Sequence, residues 1–160
     1  MKEKTEEISK ILDEKDKLIL NILQKNSREK LTAISKKVGL SIDAVNKRIK
    51  RMQEKQILFL QVQLEPRNFG YPFVVDAKIK LQNITEENLE NFIKYLKAHP
   101  KVIDLLSASG DWDITCVFIA KNPAEVEEFI MDTRKKFSNL IADWKSALLL
   151  NAYKFEEYNL

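Results

Sequence analysis

The 160-residue chain has one cysteine, one histidine, three glycines and four prolines, and each scarcity removes a class of answer. With Cys116 alone there can be no internal disulfide and no cysteine metal cluster, and a reducing compartment suits such a chain. His99 is the only imidazole and stands just ahead of Pro100 at an expected helix end. Imidazole catalysis and histidine metal sites therefore have little to work with, and His99 is expected to take a surface or capping role. Gly39, Gly70 and Gly110 lie far apart, so no glycine-rich loop is available to cradle a phosphate. An enzyme built from this inventory would have to rely on carboxylates and lysines. No apolar run approaches the roughly 18 to 20 residues that span a bilayer, and the opening MKEKTEEISK lacks the apolar core of a secretory signal. The expectation is a cytoplasmic protein with no membrane association, no metal and no cofactor.

What the chain does have is unevenly placed charge. Residues 1–64 carry 15 basic and 9 acidic side chains, whereas residues 65–160 carry 12 and 15. Within the first part, residues 28–55 alone hold 9 basic and 3 acidic side chains. Such segregation suggests a nucleic-acid-binding module joined to an acidic partner domain.

The stretch from Leu31 to Ile57 carries the most specific pattern. Leu31, Ile34 and Val38 recur at helical spacing, Gly39 offers a helix exit, and Ser41 is placed to cap a second helix. In that helix Ile42, Val45, Ile49 and Met52 form one apolar stripe. Asp43, Ala44, Lys47, Lys50 and Arg51 lie opposite it, flanked by Asn46 and Arg48. Two helices joined by a short glycine-containing turn, with the second basic on its outer side, form the helix-turn-helix arrangement that sets one helix in the major groove. Lys47, Lys50 and Arg51 can neutralise phosphates, and the amide of Asn46 matches the edge of adenine. The same pattern also fits a packed helix pair with a solvated basic face.

Around this pair the spacing predicts further elements. Residues 1–12 have Ile8, Ile11 and Leu12 at helical spacing and suit either a short lead-in helix or a mobile segment. Asp13 caps a clearer helix with Asp16 at its third position and Ile19, Leu20 and Leu23 inside. From Ile57 the period falls to two, predicting a strand that Pro66 stops, and EPRNFGYP forms a boundary. Beyond it the order is strand, helix, strand, strand, helix, strand. The strands cover 73–81, 102–109, 112–120 and part of 143–155, with helices capped by Thr85 and Asn122 and a hairpin at Gly110 and Asp111. That order is the ferredoxin-like βαββαβ arrangement, a four-stranded antiparallel sheet with both helices on one face. The expected domains are 1–56 for DNA binding, 57–72 as linking strand and loop, and 73–160 for regulation and oligomerisation. The strand TCVFIA and Leu148–Leu150 are apolar at successive positions, so the helix-free face is expected to meet a second sheet.

These segments resemble the Lrp/AsnC, or feast/famine, family of bacterial and archaeal transcription regulators. The resemblance rests on LDEKDKLILNILQKNSR, ISKKVGLSIDAVNKRIKRMQ and SGDWDITCVFIA, and runs from about Leu12 to the C-terminus. It implies a winged or three-helix DNA-binding domain, a linking strand that pairs with its copy in a dimer, and a regulatory domain that assembles dimers further. It also implies DNA contacts at Ser41, Asp43, Ala44, Asn46, Lys47, Arg48, Lys50 and Arg51. An amino-acid effector would lie near Gly110, Asp111, Asp113 and Ser146, with an Asp holding its ammonium group; a simple turn accounts equally well for Gly110 and Asp111. Ile42 and Gln56 stand where the family often has Pro and Gly, and Trp144 where it often has Thr. The expected partners are double-stranded DNA, further copies of the chain and an amino acid or related metabolite. The alternative is an architectural DNA binder with no effector.

Overall fold

The structure is a computed structural model that describes residues 11–160. The lead-in segment expected over residues 1–12 falls almost wholly outside them. By contacts the described chain forms two compact units. One comprises the chain up to Gln63 with Lys154–Leu160, and the other Leu64–Tyr153.

The first unit is built on three helices, α1 (Glu14–Lys25), α2 (Leu31–Val38) and α3 (Ile42–Glu54). Asp13 and Asp16 cap α1 reciprocally, each carboxylate accepting from the other's backbone N–H, at 2.9 and 3.2 Å. At the end of α2, Gly39 adopts φ +70°, and its N–H donates to the Ser35 carbonyl. A side chain there would meet the left-handed penalty, so the turn needs this glycine. Lys15 Nζ donates to the Val38 carbonyl at 2.5 Å, joining α1 to the partial negative charge at the end of α2. Ile19, Leu20, Leu23, Ile34, Val38, Val45, Ile49 and Met52 close one core. No two of these helices alone would enclose it. Within the same unit Gln24 brackets Tyr158, donating to its carbonyl at 3.2 Å and accepting from its N–H at 2.8 Å.

After α3, Gln56 takes φ +55°. Here the family often has glycine, and a glutamine bears the steric cost that glycine avoids. The alternation from Ile57 to Leu64 yields no strand within this chain. Residues 58–65 are irregular, with Phe59, Leu60, Val62 and Leu64 exposed, because a strand needs a neighbour to bond and none stands beside them among the described residues.

The second unit opens with a 3₁₀ turn (Pro66–Phe69) and continues as β1 (Phe73–Leu81), α4 (Glu86–Ala98), β2 (Val102–Ser107), β3 (Ile114–Ala120), α5 (Pro123–Lys136) and β4 (Ile141–Leu148). The antiparallel sheet has the order β2-β3-β1-β4, the expected ferredoxin-like topology. Thr85 and Asn122 cap α4 and α5 through the N–H groups of Asn88 and Glu125. Leu89, Phe92, Ile93 and Leu96 of α4 and Val126, Phe129 and Ile130 of α5 cover one face, against Val75, Ala77, Ile79, Cys116, Phe118 and Trp144.

Three local expectations change. The β2–β3 connection is not a two-residue hairpin but six residues, Ala108 to Asp113, closed by Ala108 N–H donating to the Asp113 carbonyl at 2.8 Å. The last strand begins at Ile141 and ends at Leu148, earlier than the expected span, and residues 149–160 are irregular. The open face is also not uniformly apolar. Across it lie Asp76, Lys78, Lys80, Thr115, Asp143 and Lys145, with Lys78 bonded to Asp76 and Thr115 at 3.1 Å each. The run TCVFIA is apolar on both sides, but its neighbours β1 and β4 alternate, and they set the polarity of the face.

Candidate nucleic-acid interface and effector region

Ser41 begins α3 as its N-cap, its Oγ accepting from Ala44 N–H at 3.2 Å. Ile42, where family members often have Pro, is the first helical residue, a position that tolerates either. Burying Val45, Ile49 and Met52 fixes the rotation of the helix, and this turns Asp43, Lys47 and Lys50 outward while Asn46 borders them, half-buried. Neither Lys47 nor Lys50 forms an ion pair among the described residues. The arrangement can neutralise phosphates through the two ammonium groups and offer the Asn46 amide to a base edge.

Arg51, expected on the outer face, and Arg48, expected to flank it, both turn to carboxylates of α1 and its cap. Arg48 Nη1 binds Asp13 Oδ2 at 2.6 Å and Asp16 Oδ1 at 2.9 Å, and Arg51 binds Asp16 Oδ2. The Arg48 guanidinium holds the Asp13 carboxyl below its usual range, and the carboxylates in turn raise Arg48. Reading Asp13 and Asp16 only as helix caps missed this role. A signal was present: Asp13 and Asp16 are three residues apart on one helix, Arg48 and Arg51 three apart on another, so each pair spans one turn and can meet the other.

The expected effector residues do not gather within the chain. Gly110 has φ +130° and open space where a Cβ would be, and Asp111 is exposed. Asp113 is already engaged: Oδ2 accepts Leu81 N–H at 2.7 Å and Oδ1 accepts Lys80 Nζ at 3.2 Å. The Leu81 amide, with Lys80, keeps its carboxyl below the usual range. Ser146 Oγ accepts from the indole N–H of Trp144 at 2.7 Å. Trp144 belongs to the core beneath the helices, whereas Lys80 lies on the other face of the sheet, so Ser146 and the Asp113 carboxylate project from opposite faces. Trp144, in place of the family's frequent Thr, thus occupies the Ser146 hydroxyl as an acceptor.

Among the described residues no group of three or more His, Cys, Asp or Glu side chains could hold a metal ion. Cys116 is buried, and burial, then Asp76 and Asp104, push its thiol up to about 12. His99 packs edge-on to Phe129, and its Nδ1 accepts from Lys101 N–H at 3.2 Å; burial, then Lys101, lowers its pKa. No described helix is long and apolar enough to cross a membrane.

A basic three-helix unit with a helix-turn-helix, followed by a ferredoxin-like unit, defines a two-module class of DNA-binding regulator. The profile of the AsnC-type helix-turn-helix domain matches residues 12–53, and that of the Lrp/AsnC ligand binding domain matches residues 75–157. The chain belongs to the Lrp/AsnC family of transcriptional regulators. It is 34% identical to the HTH-type transcriptional regulator LrpA of Pyrococcus horikoshii, over 75% of this chain and 84% of that protein. It is 26% identical to Ptr1 of Methanocaldococcus jannaschii, over 90% and 95%. Among solved structures, an AsnC family regulator from Agrobacterium tumefaciens aligns with TM-score 0.79 at 27% identity, covering 92% of this chain and 97% of that one. A Neisseria meningitidis transcriptional regulator in complex with L-methionine shares the fold, with TM-score 0.79 at 21% identity over 90% and 93% of the two chains.

Proposed function

We propose that the chain is a cytoplasmic homodimer, or a dimer-based assembly, that reads DNA through α3 and answers to an amino acid or related metabolite. Residues 1–56 bind DNA, 57–72 link, and 73–160 regulate and assemble. The observation that carries the DNA assignment is the outward set of Asn46, Lys47 and Lys50 on a helix whose inner face is fully committed to the core. Ser41, Asp43 and Ala44 complete the surface, and Arg48 and Arg51 border it. Selection of duplexes from a random pool should return sites with half-sites about one helical turn, ~34 Å, apart. Asn46→Ala should relax preference at one base position by about 1 to 3 kcal/mol. A pool that enriches no sequence supports the architectural alternative.

Association is supported by the exposed, unbonded alternation from Phe59 to Leu64, which suits pairing with the same segment of a second copy. Light scattering that finds a stable monomer at micromolar concentration removes this part. The effector region is assigned to Gly110 and Asp111, with Asp113 and Ser146 as its framework, on the support of the ligand-binding-domain match and of Asp111's exposed carboxylate. A thermal-shift screen of the amino acids should find one that raises the melting temperature, and Asp111→Asn should abolish that shift. We assign no catalytic role, on the support of relatives that are transcriptional regulators.

A further inference from the structure

Four of the thirteen residues of α3 are basic: Lys47, Arg48, Lys50 and Arg51. The two lysines are exposed, while the two arginines converge on a carboxylate whose side chain is only 1% exposed, that of Asp16. Both oxygens of Asp16 are engaged, Oδ1 by Arg48 and Oδ2 by Arg51 and the Asp13 N–H. Asp13 adds a second carboxylate to Arg48, so two acids face two guanidiniums and the cluster is locally neutral. The arginine side chains keep 26% and 43% of their surface, so each can reach solvent if released.

We propose that Asp16 is a positioning residue that sets the strength of sequence-independent DNA binding: it holds Arg48 and Arg51 against α1 and keeps half of the positive charge of α3 off the phosphates. An arginine that swung to a phosphate would leave a buried carboxylate behind it, and stranding such a charge costs far more than one exposed contact returns. Phosphate contacts carry no sequence information, and they supply essentially all of non-specific binding. Withholding two of them lowers affinity for DNA of any sequence by a similar factor and leaves discrimination to Asn46. This inference rests on the placement of α3 against DNA.

The test measures binding of the full chain to a random-sequence duplex and to a duplex selected with the native protein, across a salt series. Asp16→Asn should bind the random duplex more tightly, roughly threefold to tenfold at low salt, with a slope steeper by about 0.9 for each arginine released. The selected duplex should gain by a similar factor, because the released contacts are sequence-independent. Glu54→Gln, the same charge change at an exposed position, should leave the slope unaltered. Adding Arg48→Gln and Arg51→Gln to Asp16→Asn should return the slope to native. A purely structural role for Asp16 predicts the opposite sign, a lower melting temperature and weaker binding to both duplexes. If Asp16→Asn does not fold, Arg51→Gln alone decides: an unchanged slope supports the inference, and a slope shallower by about 0.9 overturns it. Random-duplex affinity that does not rise in a folded Asp16→Asn also overturns it. Should Lys47→Ala and Lys50→Ala leave the slope unchanged as well, the placement of α3 fails instead.

Discussion

The α2–α3 turn and the β2–β3 connection were both marked by a glycine and a short polar residue, yet the structure uses them in opposite ways. After Gly39, Ser41 starts a helix whose buried stripe forces Asn46, Lys47 and Lys50 to one outer side. After Gly110, Asp111 stays exposed but Asp113 turns back to bond Leu81 and Lys80, and on the last strand Ser146 is taken by Trp144. A helix with one committed face leaves the side chains furthest from it, here Lys47 and Lys50, exposed and together. A loop at a sheet end has backbone groups of its own to satisfy, and nearby polar side chains are recruited to that work.

The largest expected effect that sharpens this contrast is at Asp113. Asp113→Asn removes a charged acceptor from the Leu81 N–H and an ion partner from Lys80, and should cost about 1.5 to 3 kcal/mol in denaturant melts. The pH dependence has a definite sign. The folded carboxyl titrates below its ordinary value, so the unfolded chain takes up the proton first. Stability from Asp113 is full above the ordinary carboxylate pKa of about 3.9, and is lost as pH falls through the lower folded value. Asp113→Asn should flatten that acid-side loss. An Asn variant as stable as the native chain at pH 7 would break the contrast and return Asp113 to the effector.

Ser146→Ala comes next, at about 1 to 3 kcal/mol, because it leaves the half-buried indole N–H of Trp144 without its acceptor. Calorimetry that finds no loss frees Ser146 for a ligand. The smallest effect lies in the helical unit and has the opposite direction: Gln56→Gly relieves a left-handed glutamine and should raise stability by about 1 kcal/mol. A lower midpoint would mean that the Gln56 side chain contributes more than its backbone costs.

Where one residue type at one spacing has a single outlet, the sequence could be read directly. The caps at Asp13, Ser41, Thr85 and Asn122, the buried stripes of α1 to α5 and the βαββαβ order stand as expected, since each rests on local periodicity; the exception is Ile42, expected in the α3 stripe, which as the first helical residue lies beyond the core and stays exposed. The misread features depend on what lies across a gap in sequence. The polarity of the open sheet face is set by Lys78, Lys80 and Lys145 on neighbouring strands, not by TCVFIA itself. The pairing of Asp16 with Arg48 and Arg51 spans more than 30 residues, and no single-helix projection contains it. Ile57 to Leu64 has strand periodicity without a neighbour among the described residues, which periodicity alone cannot supply.

The proposed DNA contact runs through the outer face of α3, and in particular through Lys47 and Lys50, which form no ion pair among the described residues. The most direct measurement is the salt dependence of binding to one fixed duplex for the native chain, Lys47→Ala, Lys50→Ala and the double variant. Each lysine lost should make the slope of log affinity against log salt shallower by about 0.9, additively, while the melting temperature holds because both side chains are exposed. A double variant with native slope and affinity would contradict that contact.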